Sequence, residues 1–120
     1  MHRFWIVVAN AGRACVYRKA QVATGLELVH QLEDASEKDF AHELCGLLET
    51  AANRQSYDEL VLFAPAHLLG LLRAGLSSAT KKLPISTLAK DLTQLTQSDL
   101  ENRLSDLLQF HAVGSATASG

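Results

Sequence analysis

The stretch DELVLFAPAHLLGLLR, residues 58–73, decides the fold of this chain. Its first half, Glu59 to Ala64, is a short apolar run that is typical of a buried strand. Pro65 suits the first turn of a helix, where its missing N–H costs nothing. The leucines that follow recur at helical spacing, and they are Leu68, Leu69, Leu72 and Leu76. The stretch therefore predicts a buried strand that passes directly into a helix.

Three strands are predicted before this stretch. Phe4 to Ala9 is apolar without alternation, which suits a central strand covered on both faces. Asn10 and Gly12 are turn residues, because both tolerate positive φ. Arg13 to Lys19 then alternates between its two sides, and so does Leu26 to Glu33. The pattern predicts two consecutive hairpins.

Helices and a fifth strand complete the pattern. Ser36 can cap a helix, and the apolar face of that helix comprises Phe40, Leu44, Leu47, Leu48 and Ala51. Ile85 to Ala89, after Pro84, predicts the fifth strand. Thr96, with Asp99 three residues later, predicts the start of a last helix.

The resulting order of elements, β-β-β-α-β-α-β-α, determines a topology. Two hairpins place strands 3, 2 and 1 side by side, and a right-handed crossover brings strand 4 parallel to strand 1. The fold class is therefore α/β, a five-stranded mixed sheet of order 3-2-1-4-5 with strand 2 antiparallel and helices on both faces. We expect one domain over residues 1–112 and a disordered tail over 113–120, which is small and polar.

Composition narrows the class of protein. The chain has 120 residues, a fifth of them charged, and a formal net charge of −2, which favours neither a dedicated DNA-binding protein nor a disordered acidic chain. The apolar run Phe4 to Ala9 is too short for a signal peptide or a membrane span. Two cysteines are too few for a disulfide framework. We expect a cytoplasmic protein without membrane insertion.

Three segments carry a family resemblance. They are residues 5–14, the strand and helix within residues 60–73, and residues 89–93. In this order they resemble the bacterial host attachment protein family, over roughly Phe4 to Leu108. The resemblance implies a role in attachment to host cells. It also implies the topology of the middle domain of archaeo-eukaryotic peptide release factors and Pelota, which is similar to that of ribonuclease H.

The chain departs from that family pattern in two places. Asn10 stands where members often carry Asp. The connection from Glu33 to Ser36 is short, whereas members often have a long polar insert there, and release factors hold their Gly-Gly-Gln loop in it. No such motif occurs here. Hydrolysis of a peptidyl-tRNA ester needs a group that positions water, so we do not expect that activity.

Four polar residues form the candidate site. In open α/β sheets, ligands bind outside the carboxyl ends of the strands. Asn10, Lys90 and Asp91 follow strand ends, and His67 lies in the first turn after strand 4. Free amides at a helix start and the Lys90 ammonium suit a phosphate, a carboxylate or an RNA backbone. The alternative is that His67 is only a surface residue and that Lys90 and Asp91 form a structural ion pair.

Other candidate chemistry is sparse. His42 and Cys45 lie one helical turn apart, but two ligands do not make a closed zinc site, so we expect no metal and no cofactor. Residues 61–90 carry four bases and no acid. Besides Lys90, these bases are Arg73, Lys81 and Lys82, a candidate basic patch.

Three functions are compatible with these observations. The first, which we favour, is a non-enzymatic interaction module with a protein partner. The second is a translation-associated module that binds the ribosome or tRNA without hydrolysis. The third is a nuclease-like hydrolase, which would need clustered carboxylates on the central strands, and the sequence offers none there. The sequence leaves homo-oligomer formation open.

Overall fold

The computed structural model of the protein describes residues 3–10, 12–20, 26–33 and 36–103. Its elements are β1 (Arg3–Asn10), β2 (Arg13–Ala20), β3 (Glu27–Glu33), α1 (Glu37–Asn53), β4 (Glu59–Phe63), α2 (Ala66–Gly75), α3 (Ser78–Lys81) and β5 (Ile85–Leu88). Residues 97–103 are helical and are called α4. The predicted domain end at residue 112 and the predicted tail over 113–120 lie outside the described residues.

The five strands form one sheet in the order β3-β2-β1-β4-β5. β2 is antiparallel to both β1 and β3, whereas β1, β4 and β5 are parallel to one another. This confirms the predicted mixed sheet with its crossover between β1 and β4. It also confirms that the apolar run Phe4 to Ala9 lies at the centre, because β1 is paired on both sides.

The sheet has two covered faces, and the residues of β1 alternate between them. Trp5, Val7 and Ala9 pack in a cluster with the buried leucines of α1 and α2. Ile6 and Val8 pack in a second cluster that contains Leu92 and Leu100, from the segment after β5. These two sides are called the α1–α2 face and the α4 face below. Both Ile6 and Val7 are fully buried, as a strand covered on both faces requires.

Local sequence explains where α1 begins and how the chain leaves it. The Ser36 hydroxyl accepts a hydrogen bond from the Asp39 amide at 3.4 Å, which is the predicted cap. After the helix, Gln55 has a φ of 57°, and this residue turns the chain toward β4. The Tyr57 hydroxyl donates to the Leu48 carbonyl at 3.1 Å, and its ring stacks on Trp5 at 5.1 Å between centroids. The connection to β4 is thus anchored in the core.

Two local expectations need correction. Pro65 is not in the first turn of α2 but precedes it as the N-cap, with an extended ψ of 152°, because the helix begins at Ala66. The sequence also gave no sign of α3. This helix is four residues long, and the Ser77 hydroxyl caps it by accepting from the Thr80 amide at 3.3 Å. One helical turn is too short to produce a readable hydrophobic period.

Candidate functional site

Asn10, the last residue of β1, fixes two neighbouring segments. Its side-chain amide nitrogen Nδ2 donates to the Thr93 hydroxyl at 3.0 Å. Its Oδ1 accepts from the backbone amide of Gly12 at 3.4 Å, across the turn into β2. Both ends of the Asn10 side chain are therefore used within the protein, one in the hairpin turn and one in the segment after β5.

Asp91 closes a turn in that segment. Its Oδ1 accepts from the Thr93 amide at 2.9 Å and also from the Thr93 hydroxyl. A carboxylate that bonds the backbone two residues later is the usual Asx turn. Thr93 thus joins Asn10 to Asp91, and the site prediction had not included it. The Asp-x-Thr spacing, which favours such a turn, is the signal that could have revealed it.

Lys90 lies beside Asp91 in the sequence but does not form an ion pair with it. Its backbone amide donates to the Leu88 carbonyl at 2.9 Å, and the residue is exposed. The salt bridges of the described part of the chain include none between Lys90 and Asp91. The structural ion pair considered from the sequence is therefore not formed, and the Lys90 ammonium faces solvent.

His67 has a different neighbour. It is the second residue of α2, its side chain is 77% exposed, and its Nε2 lies 3.0 Å from Oε1 of Glu37. Glu37 is in the first turn of α1. When the imidazole is protonated, this contact is an ion pair that links the starts of the two helices. The sequence prediction had not included Glu37.

The contacts place three of the four predicted residues in two groups, and Lys90 belongs to neither. Asn10 and Asp91 are joined through Thr93, which adjoins Leu92 on the α4 face. His67 belongs to α2, whose buried side chains pack on the α1–α2 face. Within residues 3–10, 12–20, 26–33 and 36–103 no hydrogen bond or ion pair joins the groups. A shared ligand for all four residues stays a prediction.

The predicted basic patch lies on the connection from α2 to β5. Arg73 is in the last turn of α2, and its Nη2 donates to the Thr87 hydroxyl of β5 at 2.5 Å. Lys81 ends α3 and Lys82 follows it as the C-cap. All three residues are exposed. They are called the basic connection below.

The pair His42 and Cys45 separates in the fold. His42 is exposed, whereas Cys45 is buried and its thiol donates to the Leu72 carbonyl at 3.5 Å. Burial raises the pKa of the Cys45 thiol. In the part of the chain that is described, no three or more His, Cys, Asp and Glu side chains are grouped so that they could hold a metal ion. No described helix has the length and apolar character needed to cross a membrane.

Two comparisons of sequence identify relatives. A family model described as "Protein required for attachment to host cells" matches residues 30–104. An uncharacterized protein of Rickettsia prowazekii (strain Madrid E) is 38% identical over 65 residues, which are 52% of this chain and 43% of that protein. The chain thus spans less than half the length of this curated relative.

Solved structures share the fold at low identity. For the archaeal translation termination factor aRF1 the match covers 98% of this chain and 42% of the aRF1 chain, with a TM-score of 0.54 and 12% identity. For ribosome-bound archaeal Pelota the match covers 96% of this chain and 39% of the Pelota chain, with a TM-score of 0.57 and 13% identity. For Thermus thermophilus RuvC, in complex with a Holliday junction, the match covers 73% of this chain and 64% of the RuvC chain, with a TM-score of 0.54 and 9% identity. These likenesses confirm the release-factor and ribonuclease H-like topology, and at such identity they concern the fold alone.

Proposed function

The chain belongs to the family of proteins required for attachment to host cells, and from this premise we propose that it is a non-enzymatic interaction module. Its partner would be a protein with an acidic surface, bound at the basic connection. The observation that carries the proposal is the charge of this segment: Arg73, Lys81 and Lys82 are exposed, and residues 61–90 contain no acid. Local charge of one sign steers association with a partner of the opposite sign.

The state of the strand-end residues also supports a non-enzymatic role. Asn10 and Asp91 bond to Thr93 and to backbone amides, so that their polar atoms hold the chain in place. Residues that act on a substrate need polar atoms aimed at the position of the reacting group. The contacts of Asn10 and Asp91 support a structural role for both.

A second candidate is a translation-associated module that binds the ribosome or tRNA. The exposed bases of the basic connection are also compatible with it, since lysine and arginine contact RNA phosphates. The two candidates differ in what carries the negative charge. An RNA partner would be released by nuclease, whereas a protein partner would not.

The test is affinity capture from a bacterial lysate with the full chain as bait, at increasing salt and with or without ribonuclease. The test variant carries Arg73→Gln, Lys81→Gln and Lys82→Gln. The control variant carries Lys38→Gln, Arg54→Gln and Arg103→Gln, which remove the same charge from other exposed positions.

We expect one partner protein to be retained by the wild type and by the control variant, and to be lost from the test variant. Ribonuclease should leave this capture unchanged. Equal capture by all three chains would refute the role of the basic connection. Loss of the captured material after ribonuclease treatment would instead support the RNA-binding candidate. In that case the magnitude of the slope of log affinity against log salt should be smaller by about 2 in the test variant, since each contact to single-stranded phosphate contributes about 0.7.

A further inference from the structure

We propose that a pocket on the α4 face binds a small molecule with an apolar body and a carboxylate group. The pocket has a volume of about 180 Å³ and lies between the strands β1, β2 and β3 and the segment that follows β5. It lies beyond the roles proposed above, because the basic connection joins β5, at the opposite edge of the sheet from β3.

Four of the residues that line the pocket are apolar, and they are Val8 of β1, Leu92, Leu95 and Leu100. Val8, Leu92 and Leu100 belong to the buried cluster of the α4 face, so this part of the lining is continuous with the core. A cavity of about 150 Å³ lined by apolar side chains is large enough to hold benzene. The pocket therefore has room for a body of about that size with one small substituent.

Other residues that line the pocket carry hydrogen-bond donors. Alternation along β2 places Arg13, Cys15 and Tyr17 on the α4 face, and Gln31 lies opposite Cys15 in the register of β3. The Gln31 amide nitrogen Nε2 is 3.8 Å from the Cys15 sulfur. Burial, and after it the neighbouring Cys15, raises the pKa of the Tyr17 hydroxyl. The phenol therefore keeps its proton at neutral pH and can donate.

Arg13 supplies the positive charge. Its Nη2 lies 3.4 Å from Oε1 of Glu33, and the two side chains are 59% and 72% exposed. An ion pair so exposed to solvent contributes little to stability, so a ligand can replace Glu33 as the partner of Arg13 at little cost. The guanidinium has five N–H donors in a planar fork that fits a carboxylate. None of the described residues that line the pocket is acidic. An anionic group is thus favoured over a neutral or cationic one.

The test is a titration of the full chain with benzoate, followed by two-dimensional ¹H–¹⁵N NMR. Benzamide and benzylamine serve as neutral and cationic probes of the same size. We expect saturable shifts of the amides of Cys15, Gln31 and Thr93 with benzoate, at least about tenfold weaker binding of benzamide, and no saturable shift with benzylamine, because a hydrogen bond to a charged group is worth about one decade or more in affinity.

The variants Arg13→Gln and Arg18→Gln form a matched pair. Both arginines lie on β2 and pair with a glutamate of β3, but Arg18 is an odd number of residues from Arg13 and faces the other side of the sheet. Arg13→Gln should weaken benzoate binding about tenfold, whereas Arg18→Gln should leave it unchanged. The spectra of the free variants show directly whether each remains folded.

Alkylation by iodoacetamide gives a second readout, for which the chain contains its own reference. Cys15 lines the pocket, whereas Cys45 is buried on the α1–α2 face. Benzoate should slow the modification of Cys15 several-fold without changing that of Cys45. The proposal is overturned by the lack of any saturable shift with benzoate, by equal affinities for benzoate and benzamide, or by equal effects of the two arginine substitutions.

Discussion

Leu62→Ala is the sharpest test of the architecture. Leu62 is fully buried in the cluster of the α1–α2 face, and in register it lies between Val7 of β1 and Thr87 of β5. The substitution removes three carbon atoms, which costs roughly 2 kcal/mol of transfer free energy at about 0.8 kcal/mol per methylene. The cavity left in a paired central strand adds to this cost. We expect a loss of about 2–5 kcal/mol in the free energy of unfolding.

This loss is a large share of the stability of a domain of this size, which is typically about 5–15 kcal/mol. Denaturant unfolding, followed by the fluorescence of Trp5, measures it. The control is Leu28→Ala, in the edge strand β3. Leu28 is 44% exposed, so the change should stay within about 0.5 kcal/mol. A cost below about 1 kcal/mol for Leu62→Ala, or equal costs for both variants, would refute the central position of β4.

Three individual contacts give further expected outcomes. Asp91→Ala removes the acceptor of the Thr93 amide, so unfolding free energy should fall by about 1 kcal/mol; an unchanged denaturant midpoint would contradict this. Gly75→Ala would place a Cβ 3.0 Å from the Cys45 sulfur, so it should cost about 1 kcal/mol more in the wild type than in a Cys45→Ala background; a double-mutant cycle without coupling would show otherwise. Burial raises the pKa of the Tyr57 hydroxyl, so the folded state keeps this proton after the unfolded chain has lost it. The free energy of unfolding should therefore decline as pH rises above about 10, and it should decline less steeply in Tyr57→Phe. Identical pH profiles of the wild type and this variant would refute a contribution of the Tyr57 hydroxyl.

The sheet was predictable because its strands differ in how many of their faces are covered. Phe4 to Ala9 has no polar side, and the structure shows why: Ile6 lies in one cluster and Val7 in the other. β2 alternates because it lies toward the edge, where one side remains accessible. In β3 the predicted alternation is broken at Val29, which the register skips between His30 and Leu28, so that Val29 and Leu32 both pack on the α1–α2 face. Once β1 was recognised as central, the short connections and the handedness of the crossover left few alternatives for the strand order.

Features that depend on single turns were not predictable in this way. α3 comprises four residues, and its only sequence signal is the cap at Ser77, a residue type that is equally common in loops. The contact between His67 and Glu37 joins the starts of two helices that are distant in the sequence. Such a contact depends on how α1 and α2 pack, and no local pattern encodes it.

The candidate site shows the limit of reasoning from sheet topology. The carboxyl ends of parallel strands share one edge of the sheet, but an edge has two faces, and neighbouring residues of a strand point to opposite ones. Ala9 packs on the α1–α2 face, so Asn10, one residue later, turns to the α4 face and meets Thr93. A helix such as α2 starts at the same edge but follows only the face on which it packs. The position of a residue along a strand predicts its edge and, by alternation, its face. The residues that it contacts there, such as Thr93, belong to connections that the strand pattern does not describe.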